Sequence, residues 1–402
     1  MTIMKINWSG KAHNYTARDK KYLLKVLDSD TLTQGKEKDI FENKLRKYQN
    51  KKNIFCTSSA ASSLEIIAIL LDIKKGDEVI VPAHTYCASA IPFARNGAKI
   101  IWADINFDTR VIDLNDVKKK ITKKTKAIVV VHLYGYAVDV SKFLKLNKNI
   151  KIIEDCAQAF GAEFKEKKVG TLGDFSCFSF HAQKNITTLG EGGAIYVKNN
   201  LLSKKVSGLR HNGHSNYSKN RKYYWKPAMG NLDMDIKDRW PHKFTLSEIQ
   251  CAAGHLMLDK VDKLNDLRIN RAKRFINRFE SELFSFNRDF KKRRHVYHLL
   301  SAYVKPTKKI NNHKIIELLY KKFGIKCAVQ YYPLYRYPLF KKMGVSAQHC
   351  PNTDTFYDNM ISFPFHVWMS EIHFNYLINS VEKVVGILNH KKYKSIKNKN
   401  HF

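Results

Sequence analysis

A lysine becomes a nucleophile only where its ammonium is stripped of water, and one lysine in this lysine-rich chain has that kind of setting. Lys184 follows the aromatic run Asp174-Phe175-Ser176-Cys177-Phe178-Ser179-Phe180 and precedes Gly190-Glu191-Gly192-Gly193, a turn whose glycines permit close backbone approach. Desolvated there, it can lose its proton and attack a carbonyl. A second group is acidic: Glu154 and Asp155 end the apolar run Ile152-Ile153. A carboxylate at the buried end of a strand is expensive unless a cation meets it, although a helix N-cap explains a lone Asp equally well. The third group is Thr57-Ser58-Ser59-Ala60-Ala61-Ser62-Ser63-Leu64, small residues opening a helix. They present backbone N–H groups and a positive dipole end to an anion such as phosphate, or form an ordinary cap. The fourth, Tyr86 in Pro82-Ala83-His84-Thr85-Tyr86, offers a ring to a flat ligand or simply to the core. A phosphate cradle, a stacking ring, a carboxylate to keep a pyridine nitrogen protonated and a lysine to form a Schiff base are together what pyridoxal 5'-phosphate needs.

Elements must carry these groups to one place. Seven short apolar runs are expected to be strands: Asn53 to Cys56, Glu78 to Val81, Lys99 to Ala103, Ala127 to His132, Ile150 to Glu154, Phe175 to Phe180 and Ala194 to Val197. Helical patterns at Ser62 to Leu71 and Leu114 to Ile121 alternate with them, which predicts an α/β fold with a mostly parallel seven-stranded sheet covered on both faces. In such sheets ligands sit at the carboxyl ends of the strands, where all four groups fall. From Leu246 to Phe279 apolar residues recur at three- and four-residue spacing, the pattern of one long helix bridging two domains. Beyond it, strands at His298 to Val304 and Ile361 to Pro364 and helices at Lys314 to Phe323 and Glu371 to Leu388 imply a smaller C-terminal α+β domain. The expected organisation is a large cofactor-binding domain over 1–250, a small domain over 251–390 and a basic tail over 391–402.

Composition excludes disorder, collagen-like and disulfide-scaffold classes, since 44% of residues are hydrophobic and 27% charged. Seven cysteines with no CxxC pair and no apolar leader or long apolar span point to reduced thiols and a cytoplasmic, soluble chain; His and Cys spacing suggests no metal site. The net charge of +35 invites a nucleic-acid reading. The lysines are dispersed, however, and no zinc-finger, RNP-like or arginine-glycine module accompanies them.

Order and wording also carry a resemblance. Leu32-Thr33-Gln34-Gly35 with Phe41-Glu42, Gly76 to Pro82, Val131-His132-Leu133-Tyr134-Gly135, Glu154 to Ala159, Phe178 to His181 with Lys184-Asn185, Gly190 to Gly193 and Leu246 to Gln250 resemble the DegT/DnrJ/StrS sugar aminotransferases, fold-type I enzymes. The likeness runs from about Leu27 to Leu388. It implies that Lys184 is the Schiff-base lysine, Asp155 pairs the pyridinium nitrogen, Gln158 reaches the phenolic oxygen, Tyr86 stacks on the ring, and Ser179 with Ser59, Ala60 and Ala61 holds the phosphate. Two departures stand out. Ala60-Ala61 replaces a threonine-containing pair, and Lys243 stands where an Asn of the neighbouring subunit often touches phosphate.

The implied function is transfer of an amino group, from a donor expected to be glutamate, to a nucleotide-linked keto sugar by a homodimer with shared active sites and no specific nucleic-acid or membrane partner. His211, in Arg210-His211-Asn212-Gly213-His214, is a candidate for touching sugar or donor carboxylate, or is part of a glycine turn. Tyr331 and Tyr332 fall where the family's small domain approaches the cleft, and Asn216 to Trp240, with Tyr223-Tyr224-Trp225, is assigned to substrate recognition. The rival readings are a sugar dehydratase, which has His in place of the lysine, and a basic nucleic-acid-binding or regulatory protein on an inactive scaffold.

Overall fold

The computed structural model describes residues 3–214, 236, 239–281, 283–288, 291–308, 310–345 and 349–388. Tyr223, Tyr224, Trp225 and the basic tail lie outside the described residues. All seven apolar runs are strands of one sheet, within two residues at each end. They are β1 (Ile54–Thr57), β2 (Glu78–Pro82), β3 (Lys99–Ala103), β4 (Thr125–Val131), β5 (Lys151–Asp155) and, after the short pair β6 (Glu163–Phe164) and β7 (Lys167–Lys168), β8 (Phe175–Ser179) and β9 (Gly193–Val197). The order is β1-β9-β8-β5-β4-β2-β3, parallel throughout except that β9 runs antiparallel to both neighbours. Val79, Ile80, Val81 and the run Ile128 to Val131 are buried on both faces, as continuous Ile/Val runs in a helix-covered sheet must be.

Two further sheets have three strands each; the expected strands at His298 to Val304 and Ile361 to Pro364 are the longer strands of one of them, whereas the two-residue strands of both were not legible in the apolar pattern. One joins β10 (Phe284–Ser285), β12 (Leu300–Val304) and β13 (Met360–Phe363); the other sets β11 (Arg293–Arg294) against β6 and β7. The first forms a second core with the helices Asn312–Phe323 and Glu371–Leu388 and with Phe275 and Phe279. Ile6 packs in this second core, while Leu299, Leu334, Tyr335, Phe340, Phe356 and Met360 pack in the core of the large sheet.

The expected single helix from Leu246 is two helices, Glu248–Leu258 and Val261–Phe279, broken at Asp259 and Lys260. The apolar stripe changes partner there. Cys251, Met257 and Leu258 pack with Ile54, Phe178 and Ala194 of the large sheet, whereas Ala272, Phe275 and Phe279 face the second core, and a straight helix cannot serve both. Glu248 explains two of the recognised motifs at once: its carboxylate accepts the N–H groups of Gly35 and Glu37 at 2.8 and 2.7 Å, capping the helix Lys36–Gln49. Gly35 is required by that closeness, since a Cβ there would lie 2.8 Å from the carboxylate. All seven cysteines are free and five are buried. Among the described residues, no helix is long and apolar enough to cross a membrane.

Candidate active site

Strand register lines up one edge of the large sheet. Thr57 of β1 and Ser179 of β8 both pair with Gly193, the first residue of the antiparallel β9, so these three residues form a row where β1 and β8 end. Immediately beyond Thr57 the helix Ala60–Leu70 begins, with Ser59 as its N-cap: the Ser59 hydroxyl accepts the N–H of Ser62 at 3.0 Å. The first intrahelical bond is Ser63 N–H to the Ser59 carbonyl, so the N–H groups of Ala60 and Ala61 precede the helix ladder. A Cβ on Gly193 would stand 2.4 Å from the Ser59 carbonyl carbon and 2.6 Å from the Ala60 nitrogen. Glycine is therefore what lets β9 close against the helix mouth and leaves the anion site backbone-lined. That fits a phosphate held by main-chain donors without the missing threonine hydroxyl.

At the end of β5 the two carboxylates take opposite sides of the strand, as its alternation dictates. Glu154, fully buried, accepts N–H groups from Gly170, Leu172 and Gly173 at 2.7, 2.8 and 2.6 Å and lies 3.1 Å from Nε2 of His132. Burial alone raises its pKa, but His132 and the N–H groups of Gly173 and Gly170 outweigh it and hold the carboxyl below its ordinary value. His132, Glu154 and Cys156 are the one cluster of metal-ligand type among the described residues. Its donors are already engaged: His132 Nδ1 accepts the N–H of Val138, and burial pushes the Cys156 thiol well up.

Asp155 faces the other way. It accepts from the Ser89 hydroxyl at 2.7 Å and the Ala157 N–H at 3.0 Å, and it raises the pKa of Lys184 through space. Lys184 sits in the turn after β8, with its carbonyl 3.1 Å from Nε2 of His13 and its own N–H bonded to the His181 carbonyl. Asn185 next to it is buried and donates to Asn265 and to the Val296 carbonyl, which anchors the turn. Burial drives the Lys184 ammonium down to about 8, against the pull of Asp155 and Glu191. A lysine that sheds its proton near neutrality next to a fixed carboxylate can act both as nucleophile and as proton carrier.

The remaining candidates divide. Gln158 is buried, its side-chain oxygen accepting the Tyr134 N–H at 2.9 Å, which leaves its amide NH2 to donate. Tyr134 stacks on Tyr331 with ring centroids 6.3 Å apart, and Tyr331 meets Tyr86 edge to face at 6.1 Å. Tyr86 remains 57% exposed, a ring with an open side at the strand ends. Ser179 is buried, with its hydroxyl oxygen 3.4 Å from the His181 N–H. Tyr332 instead packs edge to face on Tyr337 and Tyr357 and is not among the residues enclosing Lys184. His211 pairs with Lys243 through backbone bridging and meets His214 in a tilted ring contact at 5.0 Å, beside a separate cavity of about 480 Å3. The Lys243 segment does reach the cradle by its backbone, since the Phe244 carbonyl accepts the N–H of Ser58. Ser89, His13, Arg268 and His298 were not found from the sequence; each acts over more than sixty residues of separation and carries no motif of its own.

Residues 14–382 match the DegT/DnrJ/EryC1/StrS aminotransferase family, and the chain belongs to it. It is 30% identical to a GDP-perosamine synthase of Escherichia coli over 336 residues, covering 81% of this chain and 85% of the relative. It is 32% identical to a UDP-4-amino-4,6-dideoxy-N-acetyl-beta-L-altrosamine transaminase of Campylobacter jejuni over 357 residues, 87% and 89% of the two chains. Its fold superposes on the putative sugar aminotransferase Spr1654 of Streptococcus pneumoniae in its PMP-form with a TM-score of 0.85 at 26% identity, covering 96% and 99%. The PLP-form of that same protein superposes at 0.84.

Proposed function

We propose that this chain is a pyridoxal-phosphate-dependent aminotransferase that aminates a nucleotide-linked keto sugar for polysaccharide synthesis. The observation that carries the reading is the meeting of Lys184, Asp155, Gln158 and the Ala60–Ala61 cradle at one sheet edge. Family membership and relatives named for GDP- and UDP-linked amino sugars support the acceptor class. Bound at this edge, the cofactor supplies a carbonyl that carries the amino group and a ring that accepts the electron pair left when a proton departs.

The chain's own residues do the rest. The N–H groups of Ala60 and Ala61 and Ser179 hold phosphate, Asp155 keeps a ring nitrogen protonated, and the Gln158 amide donates to the ring oxygen. Tyr86 covers the ring face. Lys184 would hold the aldehyde through Nζ and, with that nitrogen free, would take up and return a proton there. The donor is glutamate in this reading, and the active unit is a homodimer in which Lys243 of the neighbouring subunit completes the phosphate site. A histidine in place of Lys184 would define a dehydratase; His181 lies three residues early, turned 3.8 Å from Glu191.

The test is absorbance of the purified protein beside Lys184→Ala. The reading expects a cofactor band that bleaches with glutamate in the wild type, and turnover lowered by about 10^4-fold in the variant, the upper range for loss of a positioned acid–base group. Absence of any band after pyridoxal phosphate is added overturns it.

A further inference from the structure

Tyr134 is fully buried in a left-handed conformation, φ 59° and ψ 6°, that few residues other than glycine adopt. A tyrosine held there against its own preference needs anchors, and such outliers cluster where a neighbouring group must be aimed. The anchors are in place. Its carbonyl accepts the N–H of His298 at 2.8 Å, its phenol donates to the Gln330 carbonyl at 2.6 Å, and the same phenol oxygen lies 2.7 Å from Nε2 of His84. What the tyrosine aims is its own N–H, which meets the side-chain oxygen of Gln158 at 2.9 Å.

A phenol carries one proton to give. The Gln330 carbonyl takes it, so His84 must be the donor in the other bond, with hydrogen on Nε2 and none on Nδ1. The surroundings agree. His84 Nδ1 is buried without a partner, and burial, with Arg110 acting in the same sense, drives the ring's pKa down to about 3, so the imidazole stays neutral. Edge-to-face contacts with Phe356 and Tyr134, at centroid distances of 5.2 and 5.9 Å, fix the plane of the ring. An imidazole kept 1% exposed with one nitrogen unsatisfied is a costly way to fill space. A phenyl ring would fill it without that cost, so what His84 adds is the donor at Nε2.

We propose that His84 is a positioning residue: through Tyr134 it fixes the amide of Gln158 with its oxygen turned inward and its NH2 toward the cofactor's ring oxygen. The direction follows from the polarity of the bonds. The Tyr134 N–H can only donate, so it selects the oxygen end of Gln158, and the NH2 end has no partner among the described residues. Without His84 the phenol is held by Gln330 alone, the left-handed turn is free to relax, and the amide loses the donor that orients it. That the NH2 meets a cofactor oxygen rests on the aminotransferase reading; the relay from His84 to Gln158 does not.

The test titrates apoprotein, by calorimetry, with pyridoxal 5'-phosphate and with 3-deoxypyridoxal 5'-phosphate, which lacks the ring oxygen. In His84→Phe the natural cofactor should bind about tenfold more weakly, the scale of one hydrogen bond to a charged oxygen, while the deoxy analogue binds as it does to the wild type. His84→Gln, whose NH2 can stand in for the Nε2 donor, should restore most of the affinity, and His84→Phe should add nothing to Gln158→Ala. An equal loss with both cofactors makes His84 a support of the fold and overturns the proposal. So does full affinity in His84→Phe, or a loss that persists undiminished beside Gln158→Ala.

A second readout needs no cofactor. In the nuclear magnetic resonance spectrum of apoprotein carrying nitrogen-labelled histidine, the signal that disappears in His84→Phe should be that of a neutral ring protonated at Nε2. A ring protonated at Nδ1, or at both nitrogens, overturns the proposal. Wild-type protein that binds no pyridoxal phosphate sinks the aminotransferase reading, and the histidine spectrum then decides the relay by itself.

Discussion

Glu154 and Asp155 are neighbours on one strand with opposite fates. On one face, Glu154 is locked by three backbone N–H groups and His132, each within 3.1 Å, in a shell with no opening. On the other, Asp155 has two short bonds, from Ser89 and Ala157, and otherwise faces the lysine it acts on. Fully partnered buried charge makes architecture; partly partnered buried charge beside a perturbed lysine makes a reactive site. The strand's alternation places the two kinds 180° apart in consecutive residues.

Substitution should separate them. Asp155→Asn is expected to lower turnover by about 10^2- to 10^4-fold, the range for a lost electrostatic or proton-holding group, while the urea midpoint moves little, because the Asn oxygen can still accept the Ala157 N–H while its NH2 donates to the Ser89 hydroxyl. Glu154→Gln should do the converse. It leaves His132 and the turn Gly170 to Gly173 without a charged acceptor, and breaking a buried pair costs about 3–5 kcal/mol, read as a lowered unfolding midpoint in the apoprotein. Should Glu154→Gln reduce turnover more than Asp155→Asn at full stability, the division of labour between the faces is wrong.

That division was half legible in the sequence. Two acids after Ile152-Ile153 marked a strand end, and the seven Ile/Val/Phe runs marked the sheet, because burial on both faces leaves continuous apolar letters. Which acid served which side was taken from the family resemblance, since both are buried and the discriminating partners, His132, Ser89 and Gly170 to Gly173, lie between sixteen and sixty-six residues away. The break at Asp259 and Lys260 was hidden for a related reason: the stripe stays periodic while its partner changes from one core to another. Arg268 was hidden most completely. An arginine among 71 basic residues reads as surface until packing strips it of both water and acid.

The face that holds Asp155 also sets a pH signature. In the apoprotein burial lowers Lys184 to about 8, and Asp155 and Glu191 keep it from falling further. Below that pH the ammonium is protonated and cannot attack the cofactor's aldehyde. The rate of cofactor uptake should therefore rise roughly tenfold per pH unit up to about 8 and level off above it, where an ordinary lysine would keep rising to about 10.4. Stability runs in the same direction: between about 8 and the lysine's ordinary value the unfolded chain holds a proton that the native one has released, so the apoprotein gains stability as pH climbs through that window. Asp155→Asn removes the larger upward pull and should move the uptake midpoint below 8, whereas Glu154→Gln, on the far side of the strand, should leave it in place. Stopped-flow uptake across about pH 6 to 11, an interval set to bracket about 8 and 10.4, reads all three proteins. A midpoint near that of free lysine, or an equal shift in both variants, would show that the two faces are not electrostatically distinct.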